Sequence, residues 1–344
     1  MSVEFRLGTF SVAGRPPFAG LAVGERAVAL TAVDSFLRRT GSGLTGADSM
    51  LALLQEWEHN VAALERAARA IAEGTAPELT RDAVAVESLV FHPPVNLPRQ
   101  IFCSGANYKK HVVDIIVAQT MEETKHMSPE ERRAYGTRKM EERAAKGTPF
   151  FFVKAQSTVS GARDPLVLPA DVTQPDWELE LGVVIGRMAR RVPRERALEH
   201  VAGYVVVNDI TSRERVNRRP GDMREMGMDW VASKCSPTYL PMGPYLVPAQ
   251  FVGDPQRLQV TLTLNGQTMQ DESTADMIFG VARLIEDLSR FVVLQPGDLI
   301  CTGSPAGNGI HHGRLLRPGD VIEGTITGLG TQRNVCVAEE ATSR

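Results

Sequence analysis

The chain has 344 residues, 43% of them hydrophobic, and a formal net charge of −3. This length exceeds the usual single domain and predicts one large unit with a smaller one beside it. The mixed, near-neutral charge excludes a nucleic-acid-binding stripe or a polybasic membrane segment, no apolar run approaches a membrane-spanning length, and the N-terminus lacks the order of a signal peptide. Cys103, Cys235, Cys301 and Cys336 are too scattered for a zinc or redox spacing and read as reduced, buried thiols of a cytoplasmic protein.

Residues 1–95 read as a small N-terminal α+β domain. Val3–Thr9, Gly20–Val23 and Ala27–Leu30 are strand-like, and Leu51, Leu54, Trp57, Val61 and Leu64 recur near helical spacing, predicting a helix from near Ala47 to Ala72. Leu89-Val90-Phe91 follows, and Pro93, Pro94 and Pro98 mark the boundary.

Residues 96–344 read as short strands punctuated by Gly and Pro: Ile101–Cys103, Phe150–Val153, Leu179–Ile185, Tyr204–Val207, Val260–Leu264, Leu299–Thr302 and Val321–Ile326. Asn265-Gly266 is a hairpin signal, and a helix is expected over Ala275–Arg290. Ser273 or Thr274 reads as its cap. A charged insertion at about 115–146 interrupts the strands. Within it, Ser128, Pro129 and Glu131 have the spacing of a capping box, predicting a polar helix. On charge alone this is a solvated surface insertion. Its two ends lie beside His111 and Lys154, so a lid over a site and a dimer-contact arm are the alternatives.

Glu178 and Glu180 stand two apart on a strand and share a face. By themselves they fit the solvated face of an amphipathic strand. The run continues into Val183-Val184-Ile185, however, which suggests a strand buried on both faces, and Asp209 ends the next apolar strand. Three converging carboxylates resist burial unless a hard cation with oxygen ligands joins them. His111 and Asp114, three apart on an expected helix, share a face, where a carboxylate would orient the imidazole and raise its basicity. Asp222, Glu225 and Asp229 are acidic and loosely clustered, with no role assigned.

In chain order, Gly105-x-Asn107-Tyr108-x-x-His111, Phe152-x-Lys154, Trp177-Glu178-x-Glu180-Leu181, Asn208-Asp209-x-x-x-Arg213, Ser233-Lys234, Asn265-Gly266, Gln270, Pro296-Gly297-Asp298 and Thr302-Gly303-Ser304-Pro305 together resemble the fumarylacetoacetate hydrolase family over roughly residues 99–337. The resemblance implies an α+β, mainly β fold with a mixed β-roll catalytic domain, a homodimer, and a Mg²⁺ or Mn²⁺ site with Ca²⁺ as a further candidate. It implies Glu178, Glu180 and Asp209 as metal ligands, and His111 with Asp114 as the base dyad. Lys234 would support the developing oxyanion, and Tyr108, Lys154, Arg213 and Ser304 would bind substrate. The reaction expected is hydrolysis of a C–C bond in a β-diketone or acylpyruvate-like small molecule through a metal-chelated enolate. Decarboxylation, tautomerisation and hydratase or lyase chemistry on a related 2-keto acid start from the same enolate, and a non-catalytic binding protein is the reading from another class.

The chain departs from the family pattern at several points. Asp114 replaces a frequent Glu, Ser304 a Thr, and Gly307-Asn308-Gly309 a Gly-Val-Gly. Val216 stands where relatives often carry Gln, which suggests a bulkier or less charged substrate.

Overall fold

The computed structural model describes residues 3–118, 122–217 and 227–340. A first antiparallel sheet orders Val84–Ala85, Arg26–Ala29, Phe18–Val23, Arg6–Ser11 and Val90–His92 side by side. Helices Leu30–Thr40, Met50–Gln55 and Trp57–Ala72 pack on it through Leu37, Leu53 and Leu64. The single helix expected over Ala47–Ala72 is therefore two. Glu56, at φ −120° and ψ 43°, breaks it, and Ser49 caps the first piece by accepting the Ala52 N–H. Leu7 and Leu246 exchange both backbone hydrogen bonds, and Leu7, Leu21 and Leu64 share one core with Val184, Val205, Val207 and Met242 of the following sheet.

That central sheet runs Phe150–Val153, Ile101–Gly105, Leu299–Cys301, Leu179–Ile185, Val201–Asn208, Leu240–Met242 and Val159–Gly161, with Val247–Pro248 also pairing Val201–Asn208. A second sheet orders Gln267–Ser273, Gln259–Leu264, Val321–Ile326, Gly330–Ala338 and Leu166–Leu168. Asn265 and Gly266, at φ 52° and 81°, turn the expected hairpin. The fold is the α+β, mainly β roll that the family resemblance implies.

Every residue of Leu179–Ile185 is buried. Leu179, Leu181, Val183 and Ile185 face the core between the two sheets, with Val260, Leu262, Ile322 and Ile326, whereas Val184 faces the N-terminal helices. Gly324 lets the second sheet approach, because a Cβ there would collide with Leu179 Cδ1. Truncating a buried leucine such as Leu179 to alanine costs about 2–5 kcal/mol. The strand that carries the glutamates is thus rigid because its other face is core.

The insertion is helical. Lys109–Ala118 and Pro129–Lys146 pack side by side, with Val113 and Met140 joining Ile278, Phe279 and Leu284 in a small core of their own. The Ser128–Glu131 capping box forms in full. Thr120 and Met121 of the insertion lie outside the described residues. The helix expected at Ala275 starts instead at Val281 and ends at Phe291. Ser273 caps only a short 3-10 turn, Thr274–Asp276, by accepting the Ala275 N–H.

Candidate active site

Glu178 stands one residue before Leu179–Ile185, and Asp209 one residue after Val201–Asn208. These strands are antiparallel with Leu179 opposite Asn208, so the two acids become neighbours. The Asp209 N–H donates to the Glu178 carbonyl at 2.9 Å, and the Glu178 N–H to Asn208 Oδ1 at 2.9 Å. Glu180 follows on the same face. All three side chains are buried, and one carboxylate oxygen of each lies within 4.8 Å of the other two.

Among the described residues, three buried or half-buried cations face this cluster. Lys154 Nζ bonds Asp209 Oδ1 and the Ile210 carbonyl. Lys234 donates to Glu178 Oε2 at 2.8 Å and to Asp209 Oδ2 at 2.6 Å. Arg213 pairs with Glu178 Oε1 at 2.7 Å and Asp176 Oδ2 at 2.8 Å. Burial opposes the charge of Glu178, but Lys234 and Arg213 outweigh it and hold the carboxyl below its ordinary range. Burial likewise opposes the charge of Lys234, and Asp209 and Glu178 outweigh it, so its pKa is raised.

Glu180 differs. Its hydrogen bond comes from the Gly303 N–H at 2.7 Å, and among the described residues no cation forms an ion pair with it. Burial first, then the charges of Asp209 and Glu178, pushes its carboxyl well above the ordinary range. A buried acid cluster with one uncompensated member and all-oxygen donors fits a hard divalent cation. Glu178, Glu180 and Asp209 are the residues that would hold it.

His111 lies in the first turn of Lys109–Ala118, whose start is fixed by the Lys110 N–H donating to Asp276 Oδ2 at 2.9 Å. The ring is buried, and burial pushes its pKa down to about 3 while the charge of Glu178 pulls the other way. The expected contact with Asp114 is not formed. Asp114 pairs with Arg133 at 3.0 Å on the neighbouring helix, because the guanidinium offers a charge-assisted bond that a neutral imidazole cannot match. His111 Nδ1 meets His311 Nε2 at 3.2 Å instead, with ring planes at 90°.

The segment from Thr302 to His312 closes one side of the site. Ser304 donates to the Pro305 carbonyl and accepts from Gln270 Nε2 at 3.2 Å and Asn308 Nδ2 at 3.1 Å. Its one donor and two acceptor positions are thereby taken, and a substrate contact requires trading one of them. Gln270 also accepts the Leu179 N–H, linking this loop to the glutamate strand. Asn107 Nδ2 bonds the Thr302 and Phe279 carbonyls at 2.8 and 3.0 Å. Beside it the Tyr108 hydroxyl is buried, without a hydrogen-bond partner among the described residues, and burial first, then the charge of Glu180, raises its pKa. Asp229 caps Trp230–Lys234 by accepting the Ala232 N–H, while Asp222 and Glu225 lie outside the described residues.

Sequence reasoning missed two residues. His311 carries no motif beyond the His311-His312 doublet after the glycine-rich loop. Asp176 had a signal, since it continues the alternation of Glu178 and Glu180. Its carboxylate receives Arg213, the Gly309 N–H at 2.6 Å and the Ile310 N–H at 3.2 Å.

The family model described as fumarylacetoacetate (FAA) hydrolase C-terminal matches residues 100–337. The chain is 46% identical over 190 residues to 2,4-didehydro-3-deoxy-L-rhamnonate hydrolase of Sphingomonas sp. (strain SKA58), a match spanning 54% of this chain and 64% of that protein. It is 34% identical over 254 residues to oxaloacetate tautomerase YisK of Bacillus subtilis (strain 168), spanning 73% of this chain and 74% of that one. Among solved structures, maleylpyruvate hydrolase from Sphingobium sp. SYK-6 in complex with manganese(II) and pyruvate aligns with a TM-score of 0.68 at 25% identity, covering 97% of this chain and all of that one. No described helix is long and apolar enough to cross a membrane.

Proposed function

The chain belongs to the fumarylacetoacetate hydrolase family, and from that membership and the site geometry we propose that it is a divalent-metal-dependent enzyme that hydrolyses a C–C bond in an acylpyruvate-like or β-diketone substrate. The observation that carries this reading is the buried Glu178–Glu180–Asp209 cluster with Lys154 and Lys234 bonded to it and an uncharged imidazole nearby. A Mg²⁺ or Mn²⁺ ion held by the three carboxylates would supply Lewis acidity at the substrate's paired oxygens.

The chain's own residues account for the rest. Lys234, buried beside Glu178 and Asp209, fixes positive charge where an oxyanion grows on the substrate. Arg213 and Lys154 balance the acids and draw an anionic substrate inward. His111 takes a proton from water through the ring nitrogen that does not face His311. The hydroxide adds to the carbonyl remote from the keto-acid end. The C–C bond then breaks with its electron pair passing to the departing enolate, which regains a proton at carbon, while the other fragment leaves as a carboxylic acid.

A second reading is tautomerisation of a 2-keto diacid, in which His111 moves one proton between carbon and oxygen and no water enters. The similarity to an oxaloacetate tautomerase favours it. Purified protein with Mg²⁺ or Mn²⁺, tested on acylpyruvates, 2-keto diacids and cyclic 1,3-diketones, separates the two. Loss of enol absorbance with two fragments supports hydrolysis, and loss of enol absorbance with the carbon skeleton intact supports tautomerisation. Unchanged substrates with either metal would discard both.

A further inference from the structure

We propose that His311 is the positioning residue for His111, doing what the spacing of Asp114 led the sequence to suggest for that acid. The inference rests on the reading of His111 as the base. A neutral imidazole has one N–H donor and one bare acceptor nitrogen. The two rings meet through His111 Nδ1 and His311 Nε2 at 3.2 Å, so one of these nitrogens carries the shared proton. If His311 donates, the proton of His111 sits on its Nε2 and the ring has no free nitrogen to accept another. If His111 donates, its Nε2 is bare and free to accept a proton. A base at this position therefore requires His311 to accept, with its own proton on Nδ1. The edge-on packing, with centroids 5.2 Å apart, fixes the ring plane as well.

The backbone around His311 is built to hold it there. Gly309 and Ile310 donate their N–H groups to Asp176, and the His311 N–H donates to the Asn308 carbonyl at 3.0 Å. Gly309 is required, because a Cβ would come within 2.6 Å of Asp176 Oδ1 and 2.9 Å of the Trp177 ring. The same Asp176 carboxylate receives Arg213, which pairs with Glu178. One buried carboxylate thus registers the base's partner against the acid cluster. Asp114, partly exposed, is engaged by Arg133 and forms neither a hydrogen bond nor an ion pair with the His111 ring, and its charge acts on His311 instead.

The test uses the full chain in two variants. His311→Phe keeps an edge-on ring but removes the acceptor, and His311→Gln restores an acceptor oxygen near the position of Nε2. The His111 tautomer is read by ¹⁵N NMR of histidine-labelled protein, with the resonance assigned from its loss in His111→Gln. Turnover and Mn²⁺ affinity are measured on the same samples. We expect the Nδ1–H tautomer in the unsubstituted protein. His311→Phe should lose that single tautomer and about tenfold to a hundredfold in kcat, with KM and Mn²⁺ affinity nearly unchanged, and His311→Gln should recover most of the loss. An Nε2–H tautomer in the unsubstituted protein overturns the assignment, as does full kcat in His311→Phe. Absence of metal-dependent turnover in the unsubstituted protein sinks only the proposed function, since the tautomer still decides the pairing.

Discussion

Gly303 donates its N–H to Glu180 Oε2 at 2.7 Å, and no cation among the described residues completes an ion pair with that carboxylate. Glu180 is therefore the least satisfied charge in the cluster. Glu180→Gln removes the charge and keeps the shape, so the metal-stripped variant should melt higher than the parent. In larger domains each kcal/mol gained appears as about 2–4 °C. Adding Mn²⁺ should raise the parent's melting temperature and leave the variant's nearly unchanged. Calorimetry with and without the ion measures both, and a variant that melts lower when stripped would show that Glu180 is compensated.

His111 titrates at about 3 rather than near its usual 6.5, chiefly through burial. As pH falls through the ordinary histidine range, the unfolded chain takes up a proton at this position and the folded chain does not until about 3. The unfolded state binds more protons in that window, so His111 makes stability fall with falling pH there and has no effect above it. His111→Gln should flatten part of that slope in urea titrations run between pH 6.5 and 4. Glu178, held down by its cations, adds acid sensitivity in both proteins, so the difference between them isolates His111. His111→Ala should also lower turnover about a hundredfold or more while Mn²⁺ affinity stays close to the parent's.

Asp114 and Arg133 join the two helices of the insertion across partly exposed side chains. An ion pair of that kind contributes about 0–1 kcal/mol. Asp114→Asn should cost at most that much in denaturant unfolding and leave kcat within a few-fold of the parent. A loss as large as that of His111→Ala would return Asp114 to the base dyad and weigh against His311.

What could be read in the sequence was local. The alternation of Glu178 and Glu180, the strand end at Asp209, the Ser128–Glu131 box and the Asn265-Gly266 turn each depend on neighbours a few positions away. What could not be read depends on tertiary packing. His111 and His311 are 200 positions apart, and only the closure of the loop after Leu299–Cys301 brings them together. The shared helix face of His111 and Asp114 was read correctly, but Arg133, 19 positions on, captures the carboxylate. Neither the break at Glu56 nor the late start of the helix at Val281, where Gly280 is the N-cap, carries a proline signal.

The insertion tests whether this site closes. Its helices meet where Gly136 lies against Val113 and Ile116, at distances that leave a Cβ only ordinary van der Waals contact. Gly136→Ala should therefore stabilise the pair, since glycine inside a helix costs about 0.5–1 kcal/mol relative to alanine. Gly136→Leu should wedge the helices apart. Lys109–Ala118 carries His111, so moving this pair moves the proposed base. Arg143, bonded to the Ala106 carbonyl and set over the Phe279 ring, ties the far end of the pair to the turn that leads into Lys109–Ala118. If the pair is a lid, hydrogen exchange across Pro129–Lys146 should slow when Mn²⁺ and oxalate are added together, more in the parent than in Gly136→Leu. The leucine variant should lose turnover with its metal affinity intact. Exchange that ignores oxalate but depends on protein concentration would make the segment a contact arm between copies, and turnover in Gly136→Leu would then follow the dimer content of the sample.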